Sequence, residues 1–139
     1  ADASDADHDL VSSLGADVVV PRGDDVAEAI RANAPDGVAG WADGSVQNEL
    51  VLPALADGGA YTSVRGWAGP EGGVRGISFS ATWVREYATE QARLDRLRAQ
   101  AEEGQLTLRV AATYPAERAA EAHRRLEAGG TRGRLVIEF

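Results

Sequence analysis

Short apolar runs separated by helix-length segments recur along the whole chain, and this rhythm limits the fold more than any other feature. Asp17 to Val20 and Val38 to Ala42 are short, mostly apolar stretches without polar alternation. Such stretches suit strands covered on both faces of a sheet. From Asp24 or Asp25 to about Asn33, Val26, Ala29 and Ile30 recur at helical spacing. Ser4 or Asp5 is the expected cap of a helix over about Ala6 to Leu14, with Leu10, Val11 and Leu14 inward and Gly15 ending it. Ser45 is the expected cap of a helix through Leu55, bent or cut short by Pro53. Ala60 to Val64 then reads as a strand, Arg65 to Gly73 as a loop, Val74 to Ser80 as a strand and Thr82 to Glu103 as a long helix. That helix carries Trp83, Tyr87, Leu94, Leu97 and Ala101 as its inward stripe. Strands alternating with helices predict an α/β layered fold, with a mostly parallel sheet and helices on both faces.

The last third, Leu106 to Phe139, is the most sharply punctuated. An alternating run (Leu106, Leu108, Val110) leads to a turn at Tyr114-Pro115 and a helix to Ala128. Gly129-Gly130 stops that helix, and Leu135, Val136, Ile137 and Phe139 make a closing strand.

Composition removes several function classes. The length of 139 residues suits one domain. A net charge of −8 disfavours nonspecific binding to nucleic acid. No apolar run reaches the ~18 residues a membrane span needs, so none is expected. Cysteine is absent, which removes disulfides, a thiol nucleophile and thiolate metal sites, and fits a cytoplasmic protein. Lysine is absent too, so no Schiff-base or phosphate-loop lysine exists here. His8 and His123 lie on separate expected helices without a partner at metal-ligand spacing, so no metal site and no catalytic side chain is assigned. Trp41, Trp67 and Trp83 are expected to pack in the core or at an interface.

Tyr114-Pro115, Ala119-Ala120-Glu121-Ala122-His123, Leu126-Glu127 and Thr131-Arg132-Gly133-Arg134-Leu135-Val136 together carry a resemblance. The pattern resembles the C-terminal end of the medium-chain dehydrogenase/reductase superfamily, nearest its zinc-free NADPH:quinone oxidoreductases. Further landmarks at Leu14-Gly15-Ala16-Asp17, Pro35-Asp36-Gly37-Val38, Leu52-Pro53-Ala54-Leu55 and Val74-Arg75-Gly76 extend it along the chain. The resemblance implies that residues 1–139 are the C-terminal portion of a partial Rossmann-like nucleotide-binding domain. The family's barrel-like catalytic domain, first strand and glycine-rich turn have no counterpart here. Gly69 to Gly76 is glycine-rich, but it precedes a strand instead of opening a helix as a phosphate-cradling turn does. The first residue is Ala1, not Met. The chain is therefore expected to be part of a longer protein, needing its missing N-terminal part or another copy to fold stably.

The same resemblance implies hydride transfer between NADPH and a quinone, enone or related carbonyl compound, with the protein mainly positioning the cofactor. Its contacts would come from loops at the C-terminal ends of the strands. Ala3 stands where NAD-preferring relatives carry an acid, and Ser4 follows it. This favours NADPH, with Ser4 donating to the 2′-phosphate and Arg22 supplying positive charge. Asp43-Gly44 replaces a valine-glycine loop beneath the nicotinamide ribose. Val64-Arg65-Gly66 matches a loop whose backbone contacts the carboxamide. Arg134 aligns with a basic residue that reaches the pyrophosphate in some relatives. Relatives pair the strand after the glycine loop across a two-fold axis, which implies a homodimer through Val74–Ser80. These residues alone are expected to be inactive. Two alternatives stand beside this reading: a zinc-type alcohol dehydrogenase or synthase enoyl-reductase portion, and a non-catalytic nucleotide-binding or scaffold module.

Overall fold

The computed structural model describes residues 1–139, and their contacts divide them into two compact units, Ala1–Glu86 and Tyr87–Phe139. In the first unit, β1 (Asp2–Ala3) pairs in parallel with β2 (Val20–Pro21), and α1 (His8–Ser13) lies between them in sequence. After α2 (Val26–Asn33), the strands β3 (Val38–Asp43), β4 (Leu55–Ser63) and β5 (Ser78–Ala81) form a second parallel sheet in that order. β1 pairs only with β2, and β3 only with β4, so each keeps an open edge. A slot of about 210 Å³ lies between these pieces of sheet, with Ala1, Val20, Ile30, Val38 and Trp41 in its lining.

The core forms where α2 meets the sheets. Val26, Ala27 and Ile30 are buried on one side of α2, as their spacing requires, and pack with Val20, Val51, Leu55, Tyr61 and Ile77. Trp41, Trp67 and Phe79 close over this cluster. The Tyr61 ring meets Trp67 edge-on at 5.0 Å between centroids and Phe79 at 5.5 Å.

The segment after β3 differs from expectation. It is a 3₁₀ helix over Asn48–Ala54, not an α-helix capped by Ser45. Val46 and Asn48 take left-handed backbone angles (φ 63 and 51), and Pro53 removes a donor, so a regular α-helix cannot run through. Two arginines hold the end of this segment. Arg31 donates to the carbonyls of Pro35, Pro53 and Leu55, while Arg75 donates to those of Leu52 and Leu55 and to the Asp57 carboxylate. β4 begins at Leu55, five residues before the expected start at Ala60, because Asp57-Gly58-Gly59 forms an irregularity within the strand, not a stop before it. Gly58 has φ +71 and donates its N–H to Arg75 O at 2.9 Å, a kink that suits glycine.

Other boundaries shift as well. Ladder pairing with β1 places β2 at Val20–Pro21, and pairing with β4 places β5 at Ser78–Ala81. Leu10 and Leu14 stay exposed, and α1 buries no residue. The long helix expected from Thr82 is two helices, α3 (Val84–Tyr87) and α4 (Gln91–Glu102). Glu90 leaves helical angles (φ −81, ψ 84), and its carboxylate takes Arg93 Nε at 2.5 Å, so α4 restarts after it.

The second unit holds α4, β6 (Val110–Pro115), α5 (Ala119–Glu127) and β7 (Arg134–Glu138). β6 and β7 are parallel, with α5 as the crossover between them. Tyr114-Pro115 closes β6 instead of forming a turn. Pro115 is extended (φ −66, ψ 156), and proline is tolerated at a strand end. The expected strand at Leu106–Val110 gives way because the ladder to β7 begins only at Val110. The stripe on α4 is apolar by spacing but not buried: Leu94 and Leu97 are exposed, and α4 buries no residue. No helix of the chain is long and apolar enough to cross a membrane.

Candidate cofactor site

Parallel strands point their carbonyl ends the same way, so the loops after β1, β2, β3 and β4 leave from C-terminal strand ends, where α/β sheets bind ligands. The observed pairing shows how the nearest of these loops are fastened. Asp43 ends β3, Ser63 ends β4, and the two are register partners. The Val64 N–H then donates to Asp43 O at 3.3 Å, joining the two loops at their roots.

The Asp43 side chain turns inward and is 2% exposed. Its carboxylate accepts the Ser45 N–H at 2.9 Å, the Asn48 N–H at 2.9 Å and the Tyr61 hydroxyl at 2.6 Å. Burial pushes its pKa up, but the Tyr61 hydroxyl and the N–H groups of Asn48, Ser45 and Gln47 outweigh this and hold it below the usual range. The same burial, and the bond to Asp43, raise the Tyr61 phenol above its ordinary value, so it remains a donor. Asp43 is thus an ionised pin that fixes the left-handed 44–48 loop, and Gly44 is left exposed beyond it. Sequence reading placed Asp43 in the site but missed this role and missed Tyr61. The local signal, an aspartate followed by Gly-Ser with an asparagine five residues on, is an Asx-type turn pattern.

At the next loop, Val64 and Arg65 are exposed, and Gly66 has φ +81. Ser63 is buried and donates to Trp67 O at 3.0 Å, which sets the path of the loop. Gln47 donates to Asp2 Oδ2 on β1 at 3.2 Å, and Arg22 Nε donates to the same oxygen at 3.0 Å. A polar chain therefore runs from the loop after β3, through Asp2, to the loop after β2. Ser4 is exposed and makes no cap bond; its hydroxyl donates to Asp7 Oδ2 at 3.1 Å. Ser4, Asp5, His8 and Pro21 border a cavity of about 260 Å³ at the ends of β1 and β2. The structure thus gathers Ser4 and Arg22 on neighbouring strand ends, and Asp43-Gly44 and Val64-Arg65-Gly66 on another pair. Arg134 belongs to the second unit, where it opens β7 and donates its N–H to Arg109 O at 2.8 Å.

The residues present offer a cavity bordered by Ser4 and Pro21 at the ends of β1 and β2, and exposed backbone at Gly44 and Val64-Arg65 in the loops after β3 and β4. They provide no glycine turn for the pyrophosphate.

The model of the zinc-binding dehydrogenase family matches residues 14–137. A search of curated proteins finds no match. Among solved structures, an NAD-dependent alcohol dehydrogenase is 26% identical at a TM-score of 0.72, over 99% of this chain and 43% of its own. A probable oxidoreductase from Mycobacterium abscessus is 24% identical at a TM-score of 0.71, over 95% and 43%. The CurK enoyl reductase is 20% identical at a TM-score of 0.72, over 99% and 46%. This chain spans less than half the length of each of these structures. Zinc finds no counterpart among these residues: there is no cysteine, and no three His, Asp or Glu side chains gather as ligands. The family match and the split parallel sheet agree: the fold is the partial Rossmann-like cofactor-binding part of a medium-chain dehydrogenase/reductase, and the chain belongs to the zinc-binding dehydrogenase family.

Proposed function

We propose that these residues are the cofactor-holding part of a zinc-free NADPH-dependent oxidoreductase, acting in the cytoplasm, that reduces a quinone or an activated carbonyl or enone. The observation that carries this reading is the pair of loops after β3 and β4, joined at Asp43 O and Val64 N and stiffened by the buried Asp43 carboxylate. When bound, NADPH would supply a hydride with its two electrons, and a proton from solvent would complete reduction of the acceptor. The backbone of Val64, Arg65 and Gly66 orients the carboxamide, and Gly44 lets the ribose approach without a side chain. Titration of the full-length protein with NADPH and NADH, followed by quinone-dependent oxidation of each, tests the reading. No binding of either cofactor would overturn it.

NADPH is preferred over NADH through Arg22, which follows Pro21, a residue bordering the Ser4 cavity. Its one side-chain bond uses Nε, toward Asp2, and leaves both Nη groups for a 2′-phosphate. Arg22→Ala is expected to weaken NADPH about tenfold and NADH hardly at all, since a hydrogen bond to a charged group is worth roughly 1.5–3 kcal/mol. Equal losses for both cofactors, measured as Kd by fluorescence, would show that Arg22 does not read the phosphate.

Two partners complete the proposal. An upstream strand of the same protein enters in parallel between the open edges of β1 and β3. A second copy pairs along the region Val74–Ser80, where β5 is the outermost strand of its sheet. Ile77 is buried in the core, so a charge there would test folding and not pairing. Ser78 is exposed, and Ser78→Lys is expected to convert a dimer to a monomer in sedimentation. A variant that stays dimeric would place the contact elsewhere.

A further inference from the structure

We propose that Trp83 is a specificity-determining residue: its indole walls the substrate side of the nicotinamide site and selects flat, apolar acceptors. This rests on the reading above, that the loops after β3 and β4 hold the nicotinamide.

Position comes first. β5 ends at Ala81, and the Thr82 N–H donates to Ser63 O at 2.8 Å. The Thr62 and Thr82 hydroxyls lie 3.4 Å apart. Chain leaving β5 is therefore tied to the last residues of β4, at the same C-terminal edge as Val64-Arg65-Gly66. Trp83 is the next residue, and its ring lies against Gly66. A Cβ built on Gly66 would fall 2.0 Å from Trp83 Cζ2 and 2.7 Å from Cε2 and Cη2. No other residue fits there, because Gly66 also has φ +81. The bare backbone that is to receive the carboxamide and the indole beside it are thus one fitted pair.

Exposure is the second observation. Trp83 is 50% exposed and takes no part in the buried cluster, whereas Trp67 packs edge-on against both Tyr61 and Phe79. Folding of this unit uses Trp41 and Trp67 and leaves half of Trp83 open. A rigid aromatic seated on backbone at a ligand edge offers a large apolar contact with little entropy to lose. A fused-ring quinone can stack on it. A small acyclic enone gains little from it.

Trp83→Ala and Trp83→Phe in the full-length protein test this, with NADPH as reductant and two acceptors, 1,4-naphthoquinone and but-3-en-2-one. For the alanine variant, KM for the naphthoquinone is expected to rise about three- to tenfold, the range of an aromatic pair contact. The rise for the acyclic enone should be smaller, within about twofold, since it gains little from the stack, and each KM is taken at saturating NADPH so that any shift of Gly66 on losing the indole does not enter. Phenylalanine should restore most of the quinone KM, and thermal melting of both variants checks that they fold. Equal changes for both acceptors, no change for either, or a changed oligomeric state would overturn the assignment. A wild-type protein that turns over the quinone while Trp83→Ala behaves identically sinks this inference alone. A wild-type protein that binds no nicotinamide cofactor sinks the underlying reading, and this inference with it.

Discussion

Asp43→Ala in the full-length protein is expected to lower the unfolding free energy by about 3 kcal/mol, because it leaves the buried Tyr61 hydroxyl and two part-buried N–H groups without their acceptor. The donors are the Tyr61 hydroxyl and the N–H groups of Ser45 and Asn48, all within 2.6–2.9 Å of the carboxylate. Each unpaired buried group costs about 1–3 kcal/mol, and water entering beside exposed Gly44 recovers part of that. Tyr61→Phe removes only one of these bonds and should cost about 1–2 kcal/mol. The pH dependence has a definite sign. Asp43 has a folded-state pKa below its unfolded value of ~3.9, so its contribution is complete above that pH and is lost as pH falls through the folded value. Asp43→Ala should flatten the acid limb of the stability curve, and cofactor Kd should rise with the loosened loop. Urea unfolding at several pH values measures this. A loss below about 0.5 kcal/mol, within the range of a neutral surface change, would show that the carboxylate does not hold the loop.

The second large effect concerns the open edges. Residues 1–139 expressed alone are expected to show no cooperative melting transition, and to gain one when the proposed upstream strand is supplied in trans. β3 runs from Val38 to Asp43 with one side unpaired, and β1 likewise pairs on one side only. An inserted strand would make about five ladder bonds along β3, worth roughly 1 kcal/mol each. It would also fill the slot lined by Val20, Ile30 and Val38. That total is comparable to the ~5–15 kcal/mol stability of an ordinary domain. The indole N–H of Trp41, a residue of the slot lining, is buried without a partner, as befits a strand missing its neighbour. Calorimetry of the piece alone decides the matter: a sharp two-state melt of a monomer would refute the need for the strand.

The order of strands and helices was readable because periodicity is local. α2 shows its inward positions within eight residues, and the helix–glycine–strand ending near Ala128 lies close to the observed α5 and β7. Register was less readable, since pairing with β7 decides where β6 starts and pairing with β4 decides β5. The contacts of the candidate site residues were not readable. The partner of Asp43 is Tyr61, 18 residues away, and the partner of Arg22 is Asp2, 20 away. No local pattern links them. Leu94 and Leu97 show the converse: their spacing marks an apolar helix face, but spacing does not say whether anything covers it.

The unequal settings of the three indoles have a practical consequence. Trp41 and Trp67 are wrapped by the cluster around Tyr61, and Trp83 sits half in water on a glycine. A dissolved quencher such as acrylamide reaches one emitter well ahead of the others. The protein therefore carries its own optical gauge of that corner, legible without a dye, and shielding of its reddest light would announce whatever settles against it.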